Sequence, residues 1–164
     1  MQESTVDPYA KAGFGLLSTA VRRRLKQVAW ARLEPYGLTP QQFWVLLVLL
    51  EEGPLSLHAL SQRVWMDDPT ASRIVKALAG RGLLLSLADP GHGRRIKVSI
   101  APEAHPMALE LQSLAAEIKE GLAQGLTPAE QATLRQGLLT VIGNLDAMLA
   151  TARAPSLEAA DLVS

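Results

Sequence analysis

The 164-residue chain has no cysteine, few aromatic residues, no long apolar run and no net charge. These absences limit the classes of function that the chain can have. Without cysteine there can be no disulfide framework, thiol redox sensor, cysteine nucleophile or cysteine-ligated zinc. No apolar run approaches the roughly 20 residues that span a bilayer, so we expect no membrane partner. The first residues lack the charged-then-apolar pattern of a signal peptide, and we therefore expect a cytoplasmic protein.

The chain also lacks the residue groupings of an enzyme or a metalloprotein. It carries no nucleophile–base pair, no glycine-rich phosphate loop and no pair of carboxylates at a plausible catalytic spacing. Its three histidines, His58, His92 and His105, are widely separated and have no partners at metal-ligand spacing. The sequence therefore predicts no enzyme, no metal and no cofactor.

The zero net charge conceals an uneven distribution. Residues 1–60 carry an excess of one positive charge, residues 61–100 an excess of four, and residues 101–164 an excess of five negative charges. A basic middle favours contact with a polyanion, and an acidic end favours a different role.

Helical periodicity and capping signals predict a mainly α chain with one small β-hairpin. Thr39-Pro40 with Gln42 forms a capping box, Ser56 caps a short helix, and Asp68-Pro69 opens the next helix, which Gly82 closes. Two glycines and Arg94 lie in the turn between the paired strands, and Arg95 begins the second strand. The predicted helices span 9–33, 39–52, 56–64, 68–81, 102–122 and 127–150, and the predicted strands span 83–88 and 95–100.

The order helix, turn, helix and basic hairpin resembles the MarR family of winged-helix transcription regulators over about residues 38–101. The resemblance rests on an ordered set of short motifs: Leu38-Thr39-Pro40-Gln41-Gln42-Phe43 with Leu46, Glu52-Gly53-Pro54-Leu55-Ser56, Leu60-Ser61-Gln62-Arg63, Asp68-Pro69-Thr70-Ala71-Ser72-Arg73 with Leu78, Arg81-Gly82-Leu83, and Asp89-Pro90 through Gly93-Arg94-Arg95. Each motif alone is weak, whereas the ordered set at these spacings is specific.

The resemblance implies a winged helix-turn-helix DNA-binding lobe over residues 38–101. Residues 1–37 and 102–164 would then supply the N- and C-terminal helices of a homodimer. An apolar stripe on the last helix independently favours dimerisation, because it is too apolar for a free surface: Leu134, Leu138, Val141, Leu145 and Met148. The resemblance further implies a regulator, in our interpretation a repressor, that binds pseudo-palindromic operators and is released by a small, commonly aromatic molecule.

The helix opened by Asp68 carries most of the candidate DNA contacts. Because the N-terminal residues of a recognition helix reach base edges in the major groove, we expect Arg73 to bind guanine and Lys76 to bind phosphate. The other candidates on this helix are Pro69, Thr70 and Ser72. In the hairpin loop we expect Arg94 in the adjacent minor groove and Arg95 at a phosphate. Ser61, Gln62 and Arg63 could touch the DNA backbone.

Several residues allow a second interpretation. Arg73 and Lys76 could form a solvated helix face, and Arg94 could pair with Asp89. The run 22–24 of three arginines looks like a nucleic-acid patch, but on a helix these residues point to different sides, which favours a solvated face or salt bridges to the acidic C-terminal half. Trp30 and Trp44 are candidates for an effector pocket, although with Trp65 and Phe43 they could instead belong to the core. As an alternative for the whole chain, a winged-helix module could bind protein rather than DNA.

Overall fold

A computed structural model describes Tyr9 and residues 11–88 and 96–153. These residues form six α-helices and three β-strands, which confirms the predicted mainly α fold with a small β-sheet. In chain order they are α1 (Phe14–Leu33), α2 (Pro40–Glu52), β1 (Leu55–Ser56), α3 (Leu57–Arg63), α4 (Asp68–Gly80), β2 (Leu84–Ala88), β3 (Ile96–Ile100), α5 (His105–Ala123) and α6 (Pro128–Arg153), with single 3-10 turns at Glu34–Tyr36 and Pro102–Ala104. The chain divides into two compact units, residues 1–116 and 117–164.

Short-range capping sets the starts of α2 and α3 as predicted. At α2 the Gln42 backbone N–H donates to Thr39 Oγ1 at 3.2 Å, and the Thr39 backbone N–H donates to Gln42 Oε1 at 2.9 Å. At α3 the Ala59 backbone N–H donates to Ser56 Oγ at 3.2 Å. These side chains satisfy backbone donors that have no partner inside the helix.

The end of α4 also follows the prediction. Gly82 adopts a left-handed conformation with φ +72°. The Leu83 backbone N–H donates to the Leu78 carbonyl at 3.0 Å, and that of Gly82 donates to the Ala79 carbonyl at 2.9 Å. This pair of bonds is a Schellman motif, in which glycine carries no steric cost at the left-handed position.

The sheet contains one more strand than the sequence predicted. The hairpin pairs β2 with β3 in antiparallel register, with Leu84 opposite Ile100 and Ala88 opposite Ile96. The two-residue strand β1 pairs with the other edge of β3, with Leu55 opposite Val98. So short a strand has no periodicity to detect, and its partner lies more than 40 residues away.

The core of the first unit lies between α2 and the elements that surround it. Its largest fully buried side chains include Phe43, Leu46, Leu60, Leu78 and Leu111. The interpretation of the tryptophans as core residues is wrong for this chain, although Phe43 is indeed buried. Trp30, Trp44 and Trp65 are 46%, 47% and 85% exposed.

Helix α1 begins at Phe14, five residues later than predicted, after Gly13, whose backbone is extended and whose position offers no side-chain cap. Glycine lowers helix propensity, and Gly13 and Gly15 both lie at this end. The apolar positions Leu17, Val21 and Val28 are exposed, and the buried residues of α1 are Ala29 and Leu33.

The second unit consists of the end of α5 and all of α6. Gly125, with φ +83°, separates the helices. Thr127 opens α6 as predicted: Glu130 N–H donates to Thr127 Oγ1 at 3.3 Å, and Thr127 N–H donates to Glu130 Oε2 at 2.7 Å. Because its carboxylate accepts bonds from the Thr127 hydroxyl and backbone, the pKa of Glu130 is lowered.

The predicted stripe on α6 is largely exposed in the single chain. Leu134, Leu138, Leu145 and Met148 are each at least half exposed, and Val141 is partly buried. Among the described residues, no helix combines the length and apolar character needed to cross a membrane.

Candidate nucleic-acid interface

A polar contact between α3 and α4 fixes the start of the second helix. Ser61 is completely buried, and its hydroxyl contacts Asp68 Oδ1 and lies 2.8 Å from the His58 carbonyl oxygen. The single hydroxyl proton favours the carboxylate, because a charged acceptor makes the stronger hydrogen bond. His58 Nδ1 lies 3.1 Å from Asp68 Oδ2. The Ser61 bond first and the His58 bond second lower the pKa of Asp68.

This geometry corrects two expectations. Ser61 cannot contact DNA, because it has no exposed surface. Asp68 is not the cap of α4: the cap is Asp67, whose Oδ1 accepts the Thr70 backbone N–H at 2.7 Å. Asp68 is the first helical residue and its carboxylate is held by α3, so Pro69 takes the second helical position.

The cap extends into a short chain of polar contacts along α4. The Thr70 hydroxyl donates to Asp67 Oδ2 at 3.1 Å, and Arg73 Nη2 donates to the Thr70 hydroxyl oxygen at 3.2 Å. The backbone and hydroxyl bonds from Thr70, together with the charge of Arg73, lower the pKa of Asp67. Arg73 is therefore oriented by its own helix, one turn from the N-terminus.

The two faces of α4 differ in burial. Ala71 and Leu78 are fully buried, and Ile74 and Val75 are partly buried. The candidate DNA contacts lie on the other face: Pro69, Ser72, Arg73 and Lys76 are exposed and Thr70 is partly buried. The structure thus brings all five α4 candidates together on one accessible surface beside the helix N-terminus.

The structure says less about the candidate DNA contacts outside α4. Arg94 and Arg95 lie outside the described residues, although the strands that flank them pair as predicted. Gln62 is exposed on α3, whereas Arg63 Nη2 forms an ion pair with Glu52 Oε2 at 3.2 Å. That pairing competes with any contact between Arg63 and a phosphate.

The two tryptophans proposed for an effector pocket lie on different helices, Trp30 on α1 and Trp44 on α2, and about half of each side chain is accessible. The Trp44 ring packs against Phe43 with 5.2 Å between centroids and a 60° angle between planes. Their role in binding an effector stays a prediction. Within the part of the chain that the structure describes, no three metal-ligating side chains cluster.

Arg81, at the end of α4, is a positioning residue that sequence reasoning missed. Its Nη1 donates to the Gly37 carbonyl at 2.8 Å and its Nη2 to the Tyr36 carbonyl at 3.0 Å. Gly37 is left-handed, with φ +59°, and it ends the 3-10 turn that follows α1. The partners lie more than 40 residues from Arg81 in sequence, so no local pattern indicates the contact.

Comparisons with known proteins agree with this geometry. The model of the MarR family matches residues 36–95. A probable transcriptional regulator from Pseudomonas aeruginosa, known from a crystal structure, is 35% identical with a TM-score of 0.66 over 80% of this chain and 97% of that chain. BpsR from Bordetella bronchiseptica, whose DNA binding is regulated by 6-hydroxynicotinic acid, is 26% identical with a TM-score of 0.71 over 82% of this chain and 97% of its own.

A curated relative extends the same similarity. The uncharacterized HTH-type transcriptional regulator YsmB from Bacillus subtilis (strain 168) is 24% identical over 115 residues, which cover 70% of this chain and 79% of YsmB. The family match and these relatives favour the DNA-binding regulator over the protein-binding alternative.

Proposed function

The chain belongs to the MarR family of DNA-binding transcription regulators, and on that premise we propose that it is a repressor that acts as a homodimer on pseudo-palindromic operators and responds to a small molecule. The exposed polar face of α4 is the observation that carries the proposal. It presents a short, oriented set of hydrogen-bonding groups at the N-terminus of a helix, and an α-helix fits the major groove of B-DNA.

In this proposal Arg73 supplies the main base contact. Its guanidinium binds the O6 and N7 atoms of guanine in a bidentate way, which is worth roughly 1–3 kcal/mol of discrimination. Its bond to the Thr70 hydroxyl holds the side chain on the groove side and so reduces the rotamer freedom lost on binding. Pro69 contacts a thymine methyl, while Thr70 and Ser72 bond to bases or phosphates.

The proposed contacts outside the groove are ionic. Lys76, one turn after Ser72, reaches a phosphate at the groove edge, and Arg95 does the same from the hairpin loop. Arg94 enters the neighbouring minor groove, where narrow A·T-rich segments attract arginine. These contacts position the protein on the duplex but carry less sequence information than Arg73 does.

Dimerisation is supported by apolar surface that the single chain leaves exposed. Half-exposed leucines and a methionine lie along α6, and Leu17, Val21 and Val28 are exposed along α1. A stripe of exposed apolar side chains along a helix favours a protein interface. A two-fold dimer would place two copies of α4 about one DNA turn apart, on the order of 34 Å, which matches the half-sites of a palindrome.

The response to a small molecule rests on two supports. BpsR is regulated by an aromatic acid, 6-hydroxynicotinic acid. In this chain Trp30 and Trp44 offer accessible aromatic surface on α1 and α2. An aromatic ligand would stack on these rings, and the bound state would hold the two copies of α4 at a spacing that no longer fits the operator.

Selection of genomic fragments with the full chain, followed by mobility-shift titration of the enriched duplex, tests the proposal. Arg73→Ala should relax the sequence preference. Arg73→Lys keeps the charge but not the bidentate geometry, so it should also lose discrimination while keeping the salt dependence. Lys76→Ala should weaken all duplexes alike and reduce the slope of log affinity against log salt by about 1.

Lys11→Ala is the matched control for Lys76→Ala, because it removes one exposed ammonium group ahead of α1 that is not among the proposed DNA contacts. Its affinity and salt slope should equal those of the wild type. If Arg73→Ala keeps both affinity and base preference, Arg73 does not have the proposed role. If sedimentation equilibrium gives a monomer mass at every concentration, the homodimer is wrong.

A further inference from the structure

The turn between α3 and α4 contains a tryptophan in a backbone conformation that favours glycine. Trp65 has φ +56°, and among the described residues every other residue with positive φ is a glycine: Gly37, Gly53, Gly82 and Gly125. A bulky side chain at such a φ is strained, because its Cβ crowds the neighbouring carbonyl oxygen. Within the described ranges, Trp65 is therefore the one residue with positive φ that has a side chain.

The hydrogen bonds at this turn show what the conformation does. The Met66 backbone N–H donates to the Ser61 carbonyl at 2.9 Å, and that of Trp65 donates to the Gln62 carbonyl at 3.4 Å. These bonds form a Schellman motif that ends α3, with Trp65 at the left-handed position that Gly82 occupies after α4. A glycine would make the same turn with less strain, so the fold itself does not require the indole.

The indole is also not used for packing. Trp65 is 85% exposed, more than the other two tryptophans. A large apolar ring left in water loses the main stabilisation that a tryptophan side chain can contribute. Backbone strain and an exposed ring together point to a role outside the folding of this chain.

The position of Trp65 identifies the partner. It lies two residues before Asp67, the cap of α4, and therefore at most about 7 Å of extended chain from it. When the N-terminus of α4 enters a major groove, this turn comes to the groove edge, where the deoxyribose-phosphate backbone runs. An indole has an apolar face that fits a deoxyribose and an N–H that can donate to a phosphate oxygen.

We propose that Trp65 is a DNA-contacting residue, whose indole packs on the deoxyribose-phosphate backbone beside the groove that receives α4. This inference rests on the proposed DNA-binding function. Because Asp67 and Asp68 lie next to it, a cationic side chain here would be drawn into ion pairs with those carboxylates. A neutral donor avoids that pairing, and it also releases no counterion when it binds. The contact therefore contributes affinity that salt does not weaken.

Three substitutions separate the ring from the backbone: Trp65→Gly, Trp65→Ala and Trp65→Phe, each in the full chain and titrated with the enriched genomic duplex at several salt concentrations. Glycine and alanine both remove the indole, so both should weaken binding at least about fivefold, the lower end of what one lost DNA contact costs. The loss should be the same factor at every salt concentration. Phenylalanine keeps the apolar face and should bind between the wild type and Trp65→Ala.

Thermal unfolding distinguishes a DNA-contacting role from a structural one. If the indole stabilised the fold, its removal would lower the Tm. Trp65→Gly relieves the strained φ, so its Tm should equal or exceed that of the wild type, whereas Trp65→Ala keeps the strain and should not gain. Weaker DNA binding by a protein of undiminished Tm supports the proposal. If glycine weakens binding and alanine does not, a looser turn explains the loss and the proposal is overturned.

Two further results would overturn the contact. One is that all three variants bind the duplex as the wild type does. The other is a lower Tm for Trp65→Gly, which would show that the indole stabilises the fold or the dimer. Failure of the proposed function looks different, because the wild-type protein itself would then select no duplex.

Discussion

Replacing Ser61 by alanine tests how firmly α3 holds the start of α4. The hydroxyl is fully buried and donates to Asp68, the first residue of the helix that carries the proposed DNA contacts. Removing one oxygen leaves almost no cavity, so the effect on stability comes mainly from the lost hydrogen bond. Ser72→Ala makes the same chemical change on the exposed face of α4 and is the matched control for stability.

The magnitude follows from three contributions. A hydrogen bond from a hydroxyl contributes roughly 0.5–1.5 kcal/mol, and more when its acceptor is charged. The side chain of Asp68 is half exposed, so water replaces part of the lost bond, and we take about 1.5 kcal/mol for the change. Alanine exceeds serine in helix propensity by about 0.5 kcal/mol, which leaves a net loss of about 1 kcal/mol for Ser61→Ala. In a chain of this length the Tm should fall by about 2–4 °C.

The loss should depend on pH. Asp68 has a lowered pKa in the folded protein, and the Ser61 hydrogen bond is the largest cause. A carboxylate whose folded pKa is lowered stabilises the fold above its unfolded pKa, and this stabilisation is lost as pH falls through the folded value. The difference between wild type and Ser61→Ala should therefore be full at pH 7 and should shrink below about pH 4, where aspartate in the unfolded chain becomes protonated.

Urea denaturation at one protein concentration, at pH 7 and again below pH 4, measures both effects. Ser72→Ala should match or slightly exceed the wild type at both pH values, because only helix propensity changes. The reasoning fails if Ser61→Ala is as stable as Ser72→Ala at pH 7. It also fails if the loss caused by Ser61→Ala persists or grows in acid.

Two further substitutions test the C-terminal end of α4 by urea denaturation. Gly82→Ala should cost roughly 1–2 kcal/mol of stability through backbone strain alone, because φ is +72° and no atom lies within 4 Å of the added Cβ. Its control is Gly80→Ala, which also meets no atom within 4 Å but lies inside α4. That substitution should stabilise the fold by up to about 1 kcal/mol. A loss for Gly80→Ala as large as that for Gly82→Ala would contradict the strain argument. Arg81→Ala should lose about 1 kcal/mol with its two carbonyl contacts, and Arg81→Lys should recover no more than part of that loss. Equal stability of all three Arg81 proteins would refute the anchoring role.

The elements that could be predicted from the sequence are those whose signals are local. Each of these signals joins residues no more than five apart in sequence, so neighbouring residues alone determine the geometry. They are the Thr39 and Thr127 capping boxes, the Ser56 cap and the Gly82 helix end. The two faces of α4 follow from helical spacing in the same way. This is why the predicted DNA-contacting side chains of α4 do lie together on its exposed face.

Features that depend on contacts between residues far apart in the chain could not be predicted from the sequence. The sequence predicted Asp68 as the cap of α4, but in the structure Ser61 and His58 of α3 bind the Asp68 carboxylate, and Asp67 caps the helix. The pairing of β1 with β3 is decided by packing across the first unit. The expectation that the tryptophans are buried was wrong, because it came from how often tryptophan is buried in proteins in general. That average does not determine where a single residue such as Trp65 lies in this fold.

The acidic pair at the tip of α4 has a consequence for how the protein would search a genome. Attachment to arbitrary duplex comes almost entirely from attraction to phosphate, and the Asp67 and Asp68 carboxylates oppose it where the helix approaches. Their lowered pKa values keep both charges in place as the surroundings become mildly acidic. In the proposed recognition, a helix with such a tip would dwell only briefly on random sequence and would stay longer where Arg73 meets its base, so repulsion would shorten each unproductive encounter.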